Sequence, residues 1–304
     1  MNRLRILCLL FIGGMAVPSP ASADLRVFAC EPEWAALARE IGGEKVNAYS
    51  ATHARQDPHH IRAKPSLISR IRRADLVFCS GADLEVGWLP LLLQRGARAG
   101  VQPGKTGHLM AAEHVPVLEI PKLVDRSLGD VHPGGNPHVH MNPNNILILA
   151  RELARRMAIL DSENATHYRN RLSAFSDGWR KAMDGWKRRV AQLSGMPVIV
   201  HHKSFTYLFD WAALKEIATL EVKPGIPPTV SHLNKLLQLA RTTNVKAILR
   251  APYDPSDGTE WLASKTRIAQ VELPYTVGRD AGPGALADMF DRTIALLEEA
   301  HAKP

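Results

Sequence analysis

The stretch SENATHYRNRLSAFSDGWRKAMDGWKRRVAQLS, residues 162–194, carries a helical pattern of unusual length. Apolar residues recur along it at spacings of three and four, which is the period of an amphipathic helix. About 30 residues at 1.5 Å each would span roughly 45 Å. A coiled-coil seam is the rival interpretation, but the pattern lasts for only about four heptads. We therefore predict a rigid helix that connects two lobes. Its apolar positions are Tyr168, Leu172, Phe175, Trp179, Met183, Trp186, Val190 and Leu193.

Short apolar strands alternate with amphipathic helices on both sides of this stretch, a pattern typical of parallel sheets. The predicted class is α/β, with two lobes that each contain a parallel sheet flanked by helices, joined by one long rigid helix. The expected organisation is a signal peptide at 1–23, an N-terminal lobe at 24–161, the linking helix at 162–195 and a C-terminal lobe at 196–304. The predicted strands cover residues 26–30, 46–52, 75–79 and 115–120 in the first lobe, and 197–201, 216–222, 246–251 and 271–273 in the second.

The N-terminus has the pattern of a secretory signal peptide. Arg3 and Arg5 precede an apolar run at 6–17, and small residues at 21–23 match a cleavage site. The run is too short to span a membrane, and Cys8 lies too early in it to suggest a lipid anchor. We therefore expect a periplasmic protein. Removal of the two arginines lowers the formal charge from +8 to +6. Because the remaining basic residues are scattered, we expect no nucleic-acid partner.

Cys30 and Cys79 remain after cleavage. Each ends a predicted strand, and such strands are often neighbours in a parallel sheet, about 4.8 Å apart. In an oxidising compartment an even pair of cysteines is consistent with a disulfide. We predict this disulfide, with two buried free thiols as the alternative.

Three histidine-bearing segments follow predicted strands, where open α/β sheets bind ligands. His59 and His138 belong to the first lobe, and His202 belongs to the second. His138 and His140 are two residues apart and would face the same side of an extended segment. A solvated histidine loop is the plain alternative. Three imidazoles at equivalent strand ends, however, favour a zinc or copper site.

Four motifs give the chain a resemblance to the periplasmic solute-binding proteins of zinc and manganese ABC transporters. The resemblance covers essentially all of the chain after the predicted signal peptide. It implies a metal held between the lobes by His59, His138 and His202 and passed to a membrane permease with its ATPase. The motifs are Asp57-Pro58-His59, Gly81-Ala82-Asp83-Leu84-Glu85, Asn136-Pro137-His138-Val139 and His202-Lys203-Ser204-Phe205-Thr206-Tyr207.

The fourth metal ligand is the point at which the sequence departs from the family pattern. Family members usually offer a carboxylate near the late strand ends, but Leu249-Arg250-Ala251-Pro252 and Leu273-Pro274-Tyr275 contain none. Our candidates are water, Asp280 and, more weakly, Glu221. With three imidazoles and no evident carboxylate pair, we expect transported Zn(II) rather than manganese, in a tetrahedral site.

The other histidines near the predicted ligands have two alternative roles each. His60, His140 and His201 are expected to support the ligands or to lie in loops. His114, His132 and His140 would form a weak metal-collecting patch, or only a solvated loop.

Three other functions compete with zinc transport. A manganese-type binding protein would share the fold. A zinc hydrolase or hydratase could use three histidines and a water, but no His-Glu-x-x-His or Gly-x-Ser-x-Gly motif accompanies them. An exported adhesin would use the lobes as a platform. We predict no enzymatic activity, and a periplasmic zinc chaperone is a further candidate partner.

Overall fold

The computed structural model describes residues 24–125, 129 and 131–303. The predicted signal peptide at 1–23 therefore lies outside the described residues. None of the helices in the described ranges is long and apolar enough to cross a membrane.

In the described part of the chain, strands and helices alternate in both halves, as predicted. The first half contains β1 (Leu25–Ala29), α1 (Pro32–Gly42), β2 (Val46–Ser50), α2 (Pro65–Ile71), β3 (Leu76–Cys79), α3 (Leu89–Gly96) and β4 (His108–Met110). Two long helices follow, α4 (Pro143–Leu160) and α5 (Ala165–Val190). The second half contains β5 (Pro197–Val200), α6 (Thr206–Ala212), β6 (Lys215–Thr219), α7 (Val230–Thr242), β7 (Ala247–Arg250), α8 (Asp257–Thr266), β8 (Ala269–Glu272) and α9 (Ala285–His301).

The two sheets have the same topology. Their strand orders are β2-β1-β3-β4 and β6-β5-β7-β8, and all pairs are parallel. In each sheet the second strand of the chain lies on one side of the first strand, and the later strands lie on the other side. This change of direction creates a switch point between β1 and β3 and another between β5 and β7. Ligands of open α/β sheets bind beyond the carboxyl ends of the strands at such points. The predicted fold class is confirmed.

The predicted strand at 115–120 is wrong. The free edge of β3 pairs instead with His108–Met110, and residues 115–120 are irregular. Pro116 has no N–H to give to a ladder. The backbone groups of Leu118 bond elsewhere, because its N–H donates to the Tyr207 hydroxyl at 3.0 Å and its carbonyl accepts from the N–H of Asn136 at 2.8 Å. The segment therefore connects lobes rather than extending a sheet.

Helix α5 confirms the predicted linking helix, and 3₁₀ turns extend it at both ends to span Ser162 to Leu193. Trp179 donates its indole N–H to the carbonyl of Pro143 at the start of α4 (2.9 Å). Trp186 donates to Asp291 of α9 (2.8 Å). These two buried indoles therefore fix α5 to helices from both halves of the chain.

The two sheets share one hydrophobic core. A single cluster of buried residues includes Val27 and Leu76 of the first sheet and Val198 and Leu249 of the second. Smaller clusters cover the outer face of each sheet. Since burial of apolar area is the main stabilising term, this shared core resists separation of the lobes. The domain boundaries drawn from the sequence stay a prediction.

The predicted disulfide between Cys30 and Cys79 is present. Strands β1 and β3 are neighbours, and Ala29 lies opposite Phe78. The residues that follow each of these are therefore also side by side, with their Cα atoms 4.8 Å apart. This separation lies within the range that a disulfide requires.

Gly178 and Gly185 lie inside α5, and a Cβ at either position would meet no atom within 4 Å. We expect Gly178→Ala and Gly185→Ala each to raise the free energy of unfolding by about 0.5–1 kcal/mol, because alanine restricts the unfolded chain. Urea unfolding of the metal-free protein measures this change. A loss of stability in either variant would contradict the open environment of these positions.

Gly135→Ala is the control for the two helical variants. Gly135 has φ +91°, and a Cβ there would lie 2.5 Å from Val117 and 2.8 Å from the carbonyl oxygen of Leu118. The same substitution should therefore lower the free energy of unfolding here, by about 1 kcal/mol or more.

Candidate metal centre

The structure brings together the three histidines that the sequence selected. His59, His138 and His202 each lie in or directly before a short 3₁₀ turn. Their ring centroids are 5.6 Å apart in all three pairs. One ligand atom from each lies within 4.8 Å of the others. Three imidazoles in an equilateral arrangement surround a space that suits one small cation.

Each imidazole is oriented through its Nδ1 atom. Nδ1 of His59 lies 2.6 Å from Oδ1 of Asp57, and Nδ1 of His202 lies 2.6 Å from Oε2 of Glu221. A carboxylate accepts from an N–H, so in the neutral rings these bonds place the proton on Nδ1 and leave Nε2 with the lone pair that a metal binds. Such hydrogen bonds fix ring orientation and raise ligand basicity in known metal sites.

His138 has a different partner. Its Nδ1 lies 2.7 Å from the hydroxyl of Tyr275, which comes from the second lobe. Its Nε2 is buried and has no hydrogen-bond partner among the described residues. An unpaired buried polar atom is costly, and a metal ion in the space between the three rings would satisfy it.

The surroundings shift the pKa values of His138 and His202 in opposite directions. Burial lowers the pKa of His138 well below 6.5, and the neighbouring His202 and His59 lower it further. The His138 ring is therefore neutral at pH 7, as a ligand must be. Burial also acts to lower the pKa of His202, but the hydrogen bond and charge of Glu221 outweigh it and raise this pKa above 6.5.

A fourth histidine, His132, contacts His59 but is outside the group of three whose ligand atoms all lie within 4.8 Å of one another. Its Nε2 lies 3.1 Å from Nε2 of His59, and the two ring centroids are 5.1 Å apart. Two donors at about 2.0 Å from a tetrahedral zinc lie roughly 3.3 Å from each other, so this spacing fits two ligands of one ion. Burial, together with the charges of His59 and His202, lowers the pKa of His132 to about 4, which keeps this ring neutral at pH 7.

The two predicted acids lie in different surroundings. Glu221 bonds to Nδ1 of His202 as described, which makes it an orienting group in this conformation. Asp280 is exposed and is not part of the group of close ligand atoms. The carbonyls on either side of it, from Arg279 and Ala281, accept hydrogen bonds from Arg39 at 3.1 and 3.0 Å. A role for Asp280 as a ligand would require this segment to move.

The remaining histidines contact different neighbours and do not share one surface. His140 is fully buried and hydrogen-bonds the backbone carbonyl of Tyr275 (2.8 Å). His114 accepts from Arg156 at 3.3 Å. His60 is exposed, and its Nε2 lies 3.8 Å from Oδ2 of Asp57. His201 is buried beside β7, where its backbone N–H donates to the carbonyl of Leu249 at 2.8 Å. Of the suggested collecting patch, His132 bonds to one of the three histidines of the centre, His59.

Sequence reasoning did not connect Tyr275 with His138 or His132 with His59. Tyr275 lies in a segment that we searched only for an acid, and its hydroxyl lies 2.7 Å from Nδ1 of His138. His132 lies in a long glycine- and proline-rich loop, so its spacing gave no clue to its position. Its one sequence signal was its nearness to the Asn136-Pro137-His138 motif.

The fold and this centre define a two-lobed metal-binding protein. A family model described as the periplasmic component A of a zinc-uptake complex matches residues 27–300. The chain therefore belongs to the family of metal-binding components of ABC transporters. Members of this family are solute-binding proteins and not enzymes, which confirms our prediction and excludes the hydrolase alternative. They act with a membrane permease and its ATPase.

Individual relatives are distant but cover most of the chain. The manganese ABC transporter substrate-binding lipoprotein PsaA of Streptococcus pneumoniae is 21% identical over 261 residues, which are 82% of this chain and 81% of PsaA. A crystal structure of ZnuA has a TM-score of 0.74 at 20% identity and covers 91% of this chain and 98% of its own. FpvC of Pseudomonas aeruginosa, in complex with Mn²⁺, has a TM-score of 0.73 at 21% identity and covers 91% and 99%.

The Glu221–His202 hydrogen bond generates a prediction for the metal-free protein. The imidazole of His202 should titrate above 6.5 in an NMR experiment, and Glu221→Gln should lower this pKa because the negative charge is lost. Since the folded pKa exceeds the unfolded value of about 6.5, the pair stabilises the fold fully below that pH. This contribution is lost as the pH rises through the folded pKa. An identical His202 pKa in both proteins would contradict this account of the pair.

Proposed function

We propose that this protein captures Zn(II) in the cleft between its lobes and delivers it to an ABC-transporter permease for uptake. The observation that carries the proposal is that His59, His138 and His202 each bring one ring nitrogen to within 4.8 Å of the other two. The resemblance of the N-terminus to a signal peptide, and the family's periplasmic description, support a periplasmic location. Nothing in the comparisons supports a zinc chaperone as partner, so the proposal does not include one.

The donor set favours zinc over manganese. Manganese prefers oxygen ligands, whereas imidazole suits zinc, and zinc binds nitrogen sites more tightly in the order of divalent metals. Asp57 and Glu221 do not need to touch the ion to compensate its charge, because each transmits negative charge through the imidazole to which it is bonded. The names of several relatives refer to manganese, so manganese is the alternative cargo to exclude. Copper and nickel would also suit these donors.

For the fourth ligand we propose His132. Its Nε2 already lies 3.1 Å from Nε2 of His59, whereas Asp280 is exposed and the carbonyls on either side of it bond to Arg39. A shell of four imidazoles would be more selective against manganese than one with a carboxylate. Asp280 stays the competing candidate for a conformation in which the loop bearing His132 has moved away.

A competition titration with zinc and manganese tests the function and the ligands together. The unmodified protein should bind one zinc ion, and manganese in excess should not displace it. His202→Ala should weaken zinc binding by at least about 100-fold, since loss even of an orienting group costs 10–100-fold. The metal-free melting temperature should change little, whereas the stabilisation by zinc should disappear.

The same titration includes variants that separate the two candidates for the fourth ligand. His132→Ala should weaken zinc binding, and Asp280→Asn should not. His301→Ala, an exposed histidine in α9, is the matched control and should bind zinc normally. Preferential binding of manganese would refute the proposed cargo. Full zinc affinity in His202→Ala would refute the centre, and an effect of Asp280→Asn alone would assign the fourth position to that acid.

A further inference from the structure

Asn136 connects the two loops that carry ligands from different lobes. Its side chain is buried, and Oδ1 accepts from the N–H of His138 at 3.0 Å. On its other side, Nδ2 donates to the backbone carbonyl of Lys203 at 2.9 Å. Lys203 directly follows His202, so one amide group spans the distance between two predicted ligands.

Glu119 adds a charge to the same connection. Its Oε2 accepts from Nδ2 of Asn136 at 3.0 Å, and its Oε1 pairs with the ammonium group of Lys203 across the cleft. Glu119 has φ +54°, a left-handed conformation that is uncommon for a residue other than glycine and that persists only where surrounding contacts impose it. The backbone is therefore held in the conformation that directs this carboxylate toward the second lobe.

Tyr207 adds two hydrogen bonds beside Asn136. Its hydroxyl donates to the backbone carbonyl of Asn136 at 2.7 Å and accepts from the N–H of Leu118 at 3.0 Å. The Glu119 and Lys203 side chains are 33% and 43% exposed, so water screens much of their attraction. The buried bonds of Asn136 and Tyr207 are screened far less, and they give the connection its fixed geometry.

We propose that Asn136 and the Glu119–Lys203 pair, together the inter-lobe bridge, are positioning residues that set the spacing of His138 and His202 and thereby slow metal release. This inference rests on the proposed function. Because His202 belongs to a different lobe from His59 and His138, the ion can leave readily only when the loops move apart. That movement breaks the two bonds of the inter-lobe bridge that join the lobes, from Asn136 to the Lys203 carbonyl and from Lys203 to Glu119. The bridge therefore adds to the barrier for release without touching the ion.

Two substitutions separate this role from a simple effect of charge. Lys203→Met removes a positive charge near the cation, and Asn136→Asp adds a negative one while keeping the acceptor for the N–H of His138. Electrostatic attraction alone would therefore make both variants hold zinc longer. Loss of the inter-lobe bridge predicts the opposite, release about tenfold faster in each, as expected for loss of a hydrogen bond to a charged group.

The experiment is stopped-flow release of zinc from the loaded full-length mature protein into excess chelator. Lys265→Met, an exposed lysine of α8 with the same change of charge, is the control and should release zinc at the unmodified rate. The visible spectrum of the cobalt-loaded variants should keep the intensity of a tetrahedral site, which shows that the ligands are intact. Release at the unmodified rate or slower in both bridge variants would overturn the inference. Absence of zinc binding in the unmodified protein would instead refute the proposed function.

Discussion

The hydrogen bonds to the three Nδ1 atoms are the interactions on which the metal centre depends. Without them each imidazole could rotate, and the three rings would not each bring one nitrogen to the same small space. The partners are two carboxylates and one hydroxyl, from Asp57, Glu221 and Tyr275. Tyr275 is notable because it belongs to the second lobe and orients His138 of the first. The centre is therefore an inter-lobe structure even before a metal arrives.

The rest of the fold holds the two lobes, and with them the two parts of the metal centre, in a fixed relative position. Two sheets of identical topology direct the carboxyl ends of their strands toward the cleft, and α5 connects the helices that back them. The core that both sheets share opposes large rigid-body opening. In this architecture, movement of the loops that carry the ligands is a less costly route for metal exchange than separation of the lobes. The inter-lobe bridge lies among those loops, where it can influence the rate of exchange.

The sequence predicted much of this because its strongest signals are local. The helical period of α5, the strand–helix alternation and the strands that precede His59 and His202 could be read directly. The strand placed before His138, at 115–120, was wrong. The irregular segment at 115–120 was misjudged because its apolar alternation resembles a strand, whereas its backbone bonds to Tyr207 and Asn136 depend on tertiary contacts. The contacts of His132 with His59 and of Tyr275 with His138 were missed for a related reason. The spacing of apolar residues along the chain predicts helices and strands, but it does not predict the conformation of a loop or which distant side chains will meet.

The central claim is that imidazole nitrogens, and not carboxylate oxygens, form the metal shell. X-ray absorption spectroscopy of the zinc-loaded protein tests it most directly, because it reports the type, number and distance of the atoms bound to zinc. Our account predicts four-coordinate zinc with at least three imidazole nitrogens at about 2.0–2.1 Å. A six-coordinate shell dominated by oxygen would contradict it.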